Sequence, residues 1–209
     1  MLRPVLLATV TLLSGCSVLP SPPQEATHLY QLQLKAPLGN VASTPPEDRQ
    51  GAIVVEPPQV AAGYDTTAMA YRRTPWEIRY YSLSRWVDDP ARMLREALTS
   101  ALNQLGPFRS AFASPAGIAV DYSLRTELLR LEQDFSNAPP SRERLVVRVQ
   151  LVNLAHDTLL ASQVLELNTT APSEDAYGGV VAANTALQQL AAEVVTFCRK
   201  ALADQARAS

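Results

Sequence analysis

Apolar and polar residues alternate through much of the second half of the chain, and in two stretches the period lengthens to that of a helix. Leu145, Val147, Val149 and Leu151 share one side of an extended segment, with Arg148 and Gln150 on the other. That pattern predicts a strand with one dry and one wet face. It is one of three long strands expected in a meander over residues 120–169, joined by the turn-rich stretches 137–141 and 155–157. In Leu124, Leu128, Leu129 and Leu131 the apolar phase slips by one residue, which predicts a bulge near Leu128.

Upstream the runs are shorter. Residues 28–34 alternate and read as a half-buried strand, and Ile53-Val54-Val55-Glu56 is a strand stopped by Pro57-Pro58, which cannot supply ladder donors. Between them, 35–50 reads as a loop in which Pro45-Pro46 discourages any regular element. Residues 68–72 and 77–81 predict a hairpin around Thr74-Pro75, residues 108–113 a further strand, and 114–117 a turn.

The clearest helix begins at Asp88-Asp89-Pro90, with Asp89 as N-cap and Pro90 at the first helical position. Leu94, Leu98, Ala101, Leu102 and Leu105 recur at helical spacing until Gly106-Pro107 ends it. A second helix follows Gly178-Gly179 to about Ala203, its apolar stripe running through Val180, Leu187, Leu190, Val194, Phe197 and Leu202. Two amphipathic helices and one sheet with a dry face need each other. The expected fold is α+β, a largely antiparallel sheet with both helices packed on one face.

The N-terminus changes the picture of where this domain sits. Arg3 precedes a short apolar run over residues 5–13, the layout of a secretory signal and too short for a spanning helix of roughly 20 residues. It closes on Leu13-Ser14-Gly15-Cys16, which resembles the bacterial lipobox, where the cysteine is lipidated and becomes the first mature residue. The resemblance implies a signal over 1–15, an acylated Cys16 and labelling by palmitate. More than one acyl chain on that cysteine would anchor stably, since each buried methylene contributes about 0.8 kcal/mol. Residue 17 is Ser, where an Asp favours retention in the inner membrane of well-studied enteric bacteria, so the resemblance implies routing to the outer membrane. Residues 16–26 carry Pro20, Pro22 and Pro23 and form a tether of roughly 30 Å in polyproline geometry. The domain itself is expected over 27–209.

Charge and cysteine content narrow the function classes. The 209-residue chain has 18 basic and 20 acidic residues; loss of 1–15 removes only Arg3, which leaves 17 against 20. No nucleic-acid footprint is visible in that balance. With Cys16 acylated, Cys198 has no intramolecular partner and falls in a helical apolar stripe, which reads as a buried core thiol.

Enzyme chemistry finds little support, and no cofactor or metal is expected. His28 opens a strand and His156 sits in a turn beside Asp157, neither in a cluster of metal-ligand spacing. There is no Gly-x-Ser-x-Gly, phosphate loop or dinucleotide fingerprint. Glu127, Glu132, Asp134 and Glu143 could pair as acid and base, but acids on the wet face of a sheet are ordinarily solvated.

One enrichment stands out: residues 64–86 hold six of the 13 aromatics (Tyr64, Tyr71, Trp76, Tyr80, Tyr81, Trp86) and four arginines (Arg72, Arg73, Arg79, Arg85). Interfaces concentrate both residue types, and a lipid headgroup surface also suits them. The other reading is a hairpin that packs its large residues under a helix. As a candidate partner-binding surface we take Tyr71, Arg72, Arg73, Trp76, Arg79, Tyr81, Arg85 and Trp86.

Three stretches together resemble a known family. Gly63-Tyr64-Asp65 running to Met69-Ala70-Tyr71-Arg72-Arg73, the run from Tyr80-Tyr81-Ser82 through Trp86-Val87-Asp88-Asp89-Pro90 to Leu94, and Tyr177-Gly178-Gly179-Val180-Val181-Ala182-Ala183-Asn184 are similar to the ABC-type transport auxiliary lipoproteins, a PqiC-like family. The likeness extends over about residues 27–202. It implies an accessory subunit of transporters with MCE (substrate-binding) proteins, which move phospholipids or other hydrophobic molecules between Gram-negative membranes and support outer-membrane integrity. Its motifs define no active site. The expected role is thus a periplasm-facing, lipid-anchored docking protein whose partners are the membrane and MCE or ABC components, with a homo-oligomer left open. The rival is a carrier enclosing acyl chains in an apolar cavity; a cell-envelope hydrolase is a third reading.

Overall fold

The computed structural model describes residues 26–35, 43–115 and 117–208, so the signal and nearly all of the tether, Cys16 included, lie outside the described residues. The fold is built around β7 (Tyr122–Asp134), β8 (Arg142–Asn153) and β9 (Thr158–Thr170), the expected meander, paired antiparallel over almost their whole length. The β7–β8 register shifts between Leu128 and Arg130, where the slipped apolar phase placed a bulge.

The far edge of β7 is shared by three short strands laid end to end. β2 (Gln50–Val55), β3 (Gln59–Val60) and β4 (Ala68–Arg72) all pair parallel to it, at residues 122–124, 127–128 and 132–134 in turn. Pro57-Pro58 separates the first two, as prolines that break a ladder should. β4 continues into β5 (Arg79–Trp86) as the expected antiparallel hairpin, β1 (His28–Tyr30) pairs parallel to β5, and β6 (Phe108–Phe112) pairs parallel to β2. The result is one open, mixed nine-stranded sheet: its long ladders are antiparallel, and its short added strands are mostly parallel because the chain returns to β7 in one direction.

Helix α1 (Pro90–Leu105) starts as predicted, with the Asp89 carboxylate accepting the Ala91 N–H at 2.9 Å and Pro90 inside the first turn. Its end at Gly106 is extended rather than left-handed, the conformation that the following Pro107 favours. α2 (Ala176–Ala208) lies over β8 and β9, and α1 packs between α2 and the β2–β6 pair, so both helices share one face. Leu98, Leu102, Leu187, Leu190 and Cys198 are fully or almost fully buried against Ile53, Phe108, Leu124, Val147, Val149 and Leu151.

Three expectations shift in detail. Strand character over 28–34 stops at Tyr30, and beyond it the extended backbone bonds to side chains of α2 instead of to another strand. A single 3-10 turn, Pro46–Asp48, forms where Pro45-Pro46 suggested no regular element; proline is acceptable at the start of a helical turn, where its missing N–H is not needed. Gly178-Gly179 sits inside the first turn of α2 rather than ahead of it, and the helix runs on to Ala208.

Truncating the centre of either helical stripe, Leu98→Ala or Leu190→Ala, should each lower stability by about 2–5 kcal/mol, since both side chains are enclosed and the space left cannot collapse fully. Urea unfolding checks this; an unchanged midpoint would mean that helix does not hold the core.

Candidate functional site

The aromatic and arginine-rich hairpin divides into a buried root and an exposed tip. At the root, Trp86 is buried in the core beside α1, and Tyr64 and Arg72 close on Glu132. Glu132 is fully buried on β7: the Tyr64 hydroxyl donates to it at 2.7 Å, Arg72 Nε lies 2.8 Å away and Arg130 Nε 3.5 Å. Two cations and a hydroxyl offset the cost of desolvating that carboxylate. Burial, reinforced by the bond to Glu132, pushes the Tyr64 phenol well above its ordinary range.

On the helix-facing side of the same strand ends, Tyr81 donates to the Gln133 Oε1 at 2.8 Å, and Gln133 Nε2 donates to the Ser141 hydroxyl at 2.9 Å. Here the Gly178-Gly179 motif finds its reason. A Cβ on Gly179 would stand 2.4 Å from Gln133 Oε1, and one on Gly178 would stand 2.1 Å from the Ser173 carbonyl oxygen. The glycines let α2 approach β7 and its own entry loop. Asp175 caps the helix, accepting the Gly178 N–H at 2.7 Å, and that bond holds its carboxyl below the usual range.

The four acids do not behave as a solvated wet face. Glu132, Asp134 and Glu143 are all buried, because the hairpin, the 61–67 loop and the start of α2 cover the ends of β7 and β8. Only Glu127 stays partly open, paired with Arg148. Glu143 is in phase with Leu145 and so faces the helices; burial and then the charge of Glu132 push its carboxyl well above the ordinary 4.5. Asp134 is held lower, burial being outweighed by the Ser136 hydroxyl and amide.

At the tip, Trp76 is fully exposed and has a positive φ of 70°, a left-handed conformation uncommon for a bulky side chain. Glu77 braces the turn, accepting from the Thr74 hydroxyl at 3.0 Å and from Arg79 at 2.8 Å. Arg73 lies over the Phe135 ring at 5.0 Å and the Tyr71 ring at 5.8 Å, and Tyr71 packs on Tyr81 at 4.7 Å. Arg85 is exposed but six residues from Arg79, about 20 Å along an extended strand, so it does not join the tip. Of the eight candidate residues, Arg73, Trp76, Arg79 and Arg85 face solvent, while Tyr71, Arg72, Tyr81 and Trp86 build the support beneath them.

A second feature was not foreseen. Asn184 and Gln188, one turn apart on α2, grip residues 31–35 with their carboxamides: each accepts a backbone N–H, from Gln33 at 2.7 Å and Lys35 at 3.1 Å, and each donates to a carbonyl, of Gln31 at 3.1 Å and Lys35 at 2.6 Å. The i,i+4 amide pair was the available signal, since it presents strand-like donors and acceptors from a helix. This clamp fixes where the chain leading from the tether joins the domain.

Among the described residues no three His, Cys, Asp or Glu side chains gather to hold a metal ion, and no helix is long and apolar enough to cross a membrane. His28 and His156 lie in a strand and a turn, as read from the sequence. Cys198 is enclosed in the core, and burial pushes its thiol up to about 12.

The structure thus combines an open sheet, two helices on one of its faces and an exposed aromatic tip. Residues 30–195 match the family described as the ABC-type transport auxiliary lipoprotein component, and the chain belongs to that family. A crystal structure of a Xanthomonas campestris protein of family DUF330 superposes with a TM-score of 0.74 at 20% identity, covering 87% of this chain and 99% of that one. An uncharacterized protein superposes with a TM-score of 0.65 at 16% identity over 84% and 99% of the respective chains. At these identities the likeness is one of fold. No curated protein matches the sequence.

Because Glu143 binds its proton more tightly when folded, folding takes up a proton above pH 4.5 and stability falls as pH rises toward the folded value. Glu143→Gln should therefore match the native chain at about pH 4 and gain on it as the pH rises above the ordinary carboxylate range, read by urea unfolding at a series of pH values. Parallel curves would show that Glu143 is not held protonated.

Proposed function

We propose that this chain is an outer-membrane lipoprotein, anchored through acylated Cys16 and facing the periplasm, that serves as accessory subunit to an ABC/MCE-type system moving phospholipid or other hydrophobic molecules. Its work is anchoring and docking. The tether confines the domain near the membrane, and the raised effective concentration then supports a weak contact with the transporter.

The observation that carries docking is Trp76, fully exposed on a turn held by Glu77 and backed by the Tyr71–Tyr81–Phe135 aromatic layer. A fully solvated indole has its whole apolar surface to bury on contact, and tryptophan is among the residues that most often anchor interfaces. Arg73 and Arg79 flank it with positive charge for a partner's carboxylates or carbonyls. The filled space between sheet and helices argues against a carrier, since Leu187, Leu190, Val147, Val149 and Leu151 occupy the place acyl chains would need. For the hydrolase reading no Ser–His pair offers support: among the described residues neither imidazole hydrogen-bonds to a serine hydroxyl.

Cys16→Ala should release the chain from the membrane fraction and abolish palmitate labelling; persistent labelling would refute the anchor. For docking, Trp76→Ala and the Arg73→Glu/Arg79→Glu pair should each weaken co-purification and in-cell crosslinking with the MCE component, by roughly tenfold or more if the tip is a hot spot. Fold stability should hardly change, since the exposed charges contribute little to it. Loss of vesicle binding by the purified chain with partner capture intact would instead assign the tip to a lipid surface, and no change in either would remove it from function.

A further inference from the structure

The outer side of α2 carries apolar residues that the core does not use. Val180, Leu187 and Leu190 are buried against the sheet, yet Tyr177 and Val181, one turn apart on the same helix, are 60% and 37% exposed. Beside them lies a surface cleft of about 370 Å³ between the first turns of α2 and Lys35, with Val180 and Thr185 also on its walls. Tyr30 packs on Tyr177 with ring centroids 6.2 Å apart, and His28 stacks on Tyr30 at 6.3 Å, so the aromatic surface continues onto β1.

The charge on this patch is a cation. Gln188 holds the backbone of Lys35, while the Lys35 ammonium forms no ion pair among the described residues. The acids nearest in sequence are committed to their own loop: Glu174 accepts the Ser141 N–H at 2.8 Å, and Asp175 accepts from Ser173 and Gly178 at 2.7 Å. A phenol ring, an aliphatic neighbour and a lysine whose stem covers apolar surface are the set that suits the boundary between lipid headgroups and acyl chains. Where the described chain begins decides what covers it. Residue 26 stands two residues before His28, about 7 Å of extended backbone from the aromatic surface. From there the residues back to Cys16 span roughly 30 Å in polyproline geometry. Anchor and patch thus share one corner of the domain.

We infer that the patch of Tyr30, Lys35, Tyr177 and Val181 rests on the surface of a phospholipid bilayer, with the rings at headgroup level and the Lys35 ammonium on a lipid phosphate. This contact depends on the anchor proposed above. So small an apolar patch holds a bilayer weakly, and it becomes effective at the local concentration that the acyl chains impose. Contact there fixes the orientation of the domain on the membrane, which a tether alone leaves free.

Quenching by nitroxide-labelled lipids, with the full acylated chain in vesicles of phosphatidylethanolamine and phosphatidylglycerol, tests this. Cys198 is enclosed in the core and Cys16 is consumed by lipid, so bimane labels only an introduced cysteine. A label on Val181→Cys should be quenched at least about twofold more than one on Leu29→Cys, which is 62% exposed beside Tyr30 but on the opposite face of the strand. With the label moved to Thr185→Cys, Tyr177→Glu/Val181→Glu should cut the quenching at least about twofold. Acids in the first turns of a helix suit its dipole, so the unfolding midpoint should hold. Palmitate incorporation, scored on the same samples, separates a failed anchor from a failed contact. In chains that carry palmitate, no quenching at residue 181, equal quenching at 181 and 29, quenching indifferent to the acidic pair, or cover of residue 181 by a bound protein in place of lipid would each overturn the proposal.

Discussion

β7 is hydrogen-bonded along both edges, and nearly everything else in the fold follows from that double pairing. One edge takes a single long partner, β8; the other takes β2, β3 and β4 in succession, each too short to be stable alone. Those short strands exist because β7 supplies a preformed ladder. Their order along it carries the chain from the α1 end of the sheet to the hairpin, so the register of β7 decides where Trp76 is presented. The bulge near Leu128 belongs to the same constraint, since it lets Leu128 and Leu131 both reach the core although their spacing is odd.

What the sequence made legible divides along the line between local and distant pairing. The β7–β9 meander, the Asp89 cap and the β4–β5 hairpin are written in neighbouring residues, in alternation, capping chemistry and turn residues. The parallel pairings of β1, β2, β4 and β6 bring together segments that are far apart in sequence, and no period within either segment records its partner. β3, a two-residue strand directly after a pair of prolines, has no pattern at all. The amide clamp was hidden for a related reason: Asn184 and Gln188 read as ordinary polar positions on a helix until the backbone of 31–35 lies beside them.

The candidate site was legible in composition but not in depth. The four acids were read together as lying on the wet face, although Glu143 is in phase with Leu145 and faces the helices; alternation tells only which face a side chain occupies. It cannot tell that a loop carrying Tyr64 covers one face and the first turn of α2 the other, so acids expected in water are buried. The same limitation concerns the hairpin. Trp76 and Trp86 are equivalent as sequence, yet one fills the core while the other is wholly exposed, because Trp86 lies on the paired part of β5 next to α1 and Trp76 lies on the turn. The two glycines of the motif, Gly178 and Gly179, likewise meet a packing need, the close approach of α2 to Ser173 and Gln133.

The sheet order places the hairpin and β9 on opposite sides of β7. The clamp on residues 31–35 sits over α2, which also borders the β9 edge, whereas the tip of the hairpin projects from the far side of the sheet. A contact at the tip would then stay clear of the place where the tether joins the domain, and confinement by the tether would let a weak contact through one aromatic ring and a pair of arginines suffice.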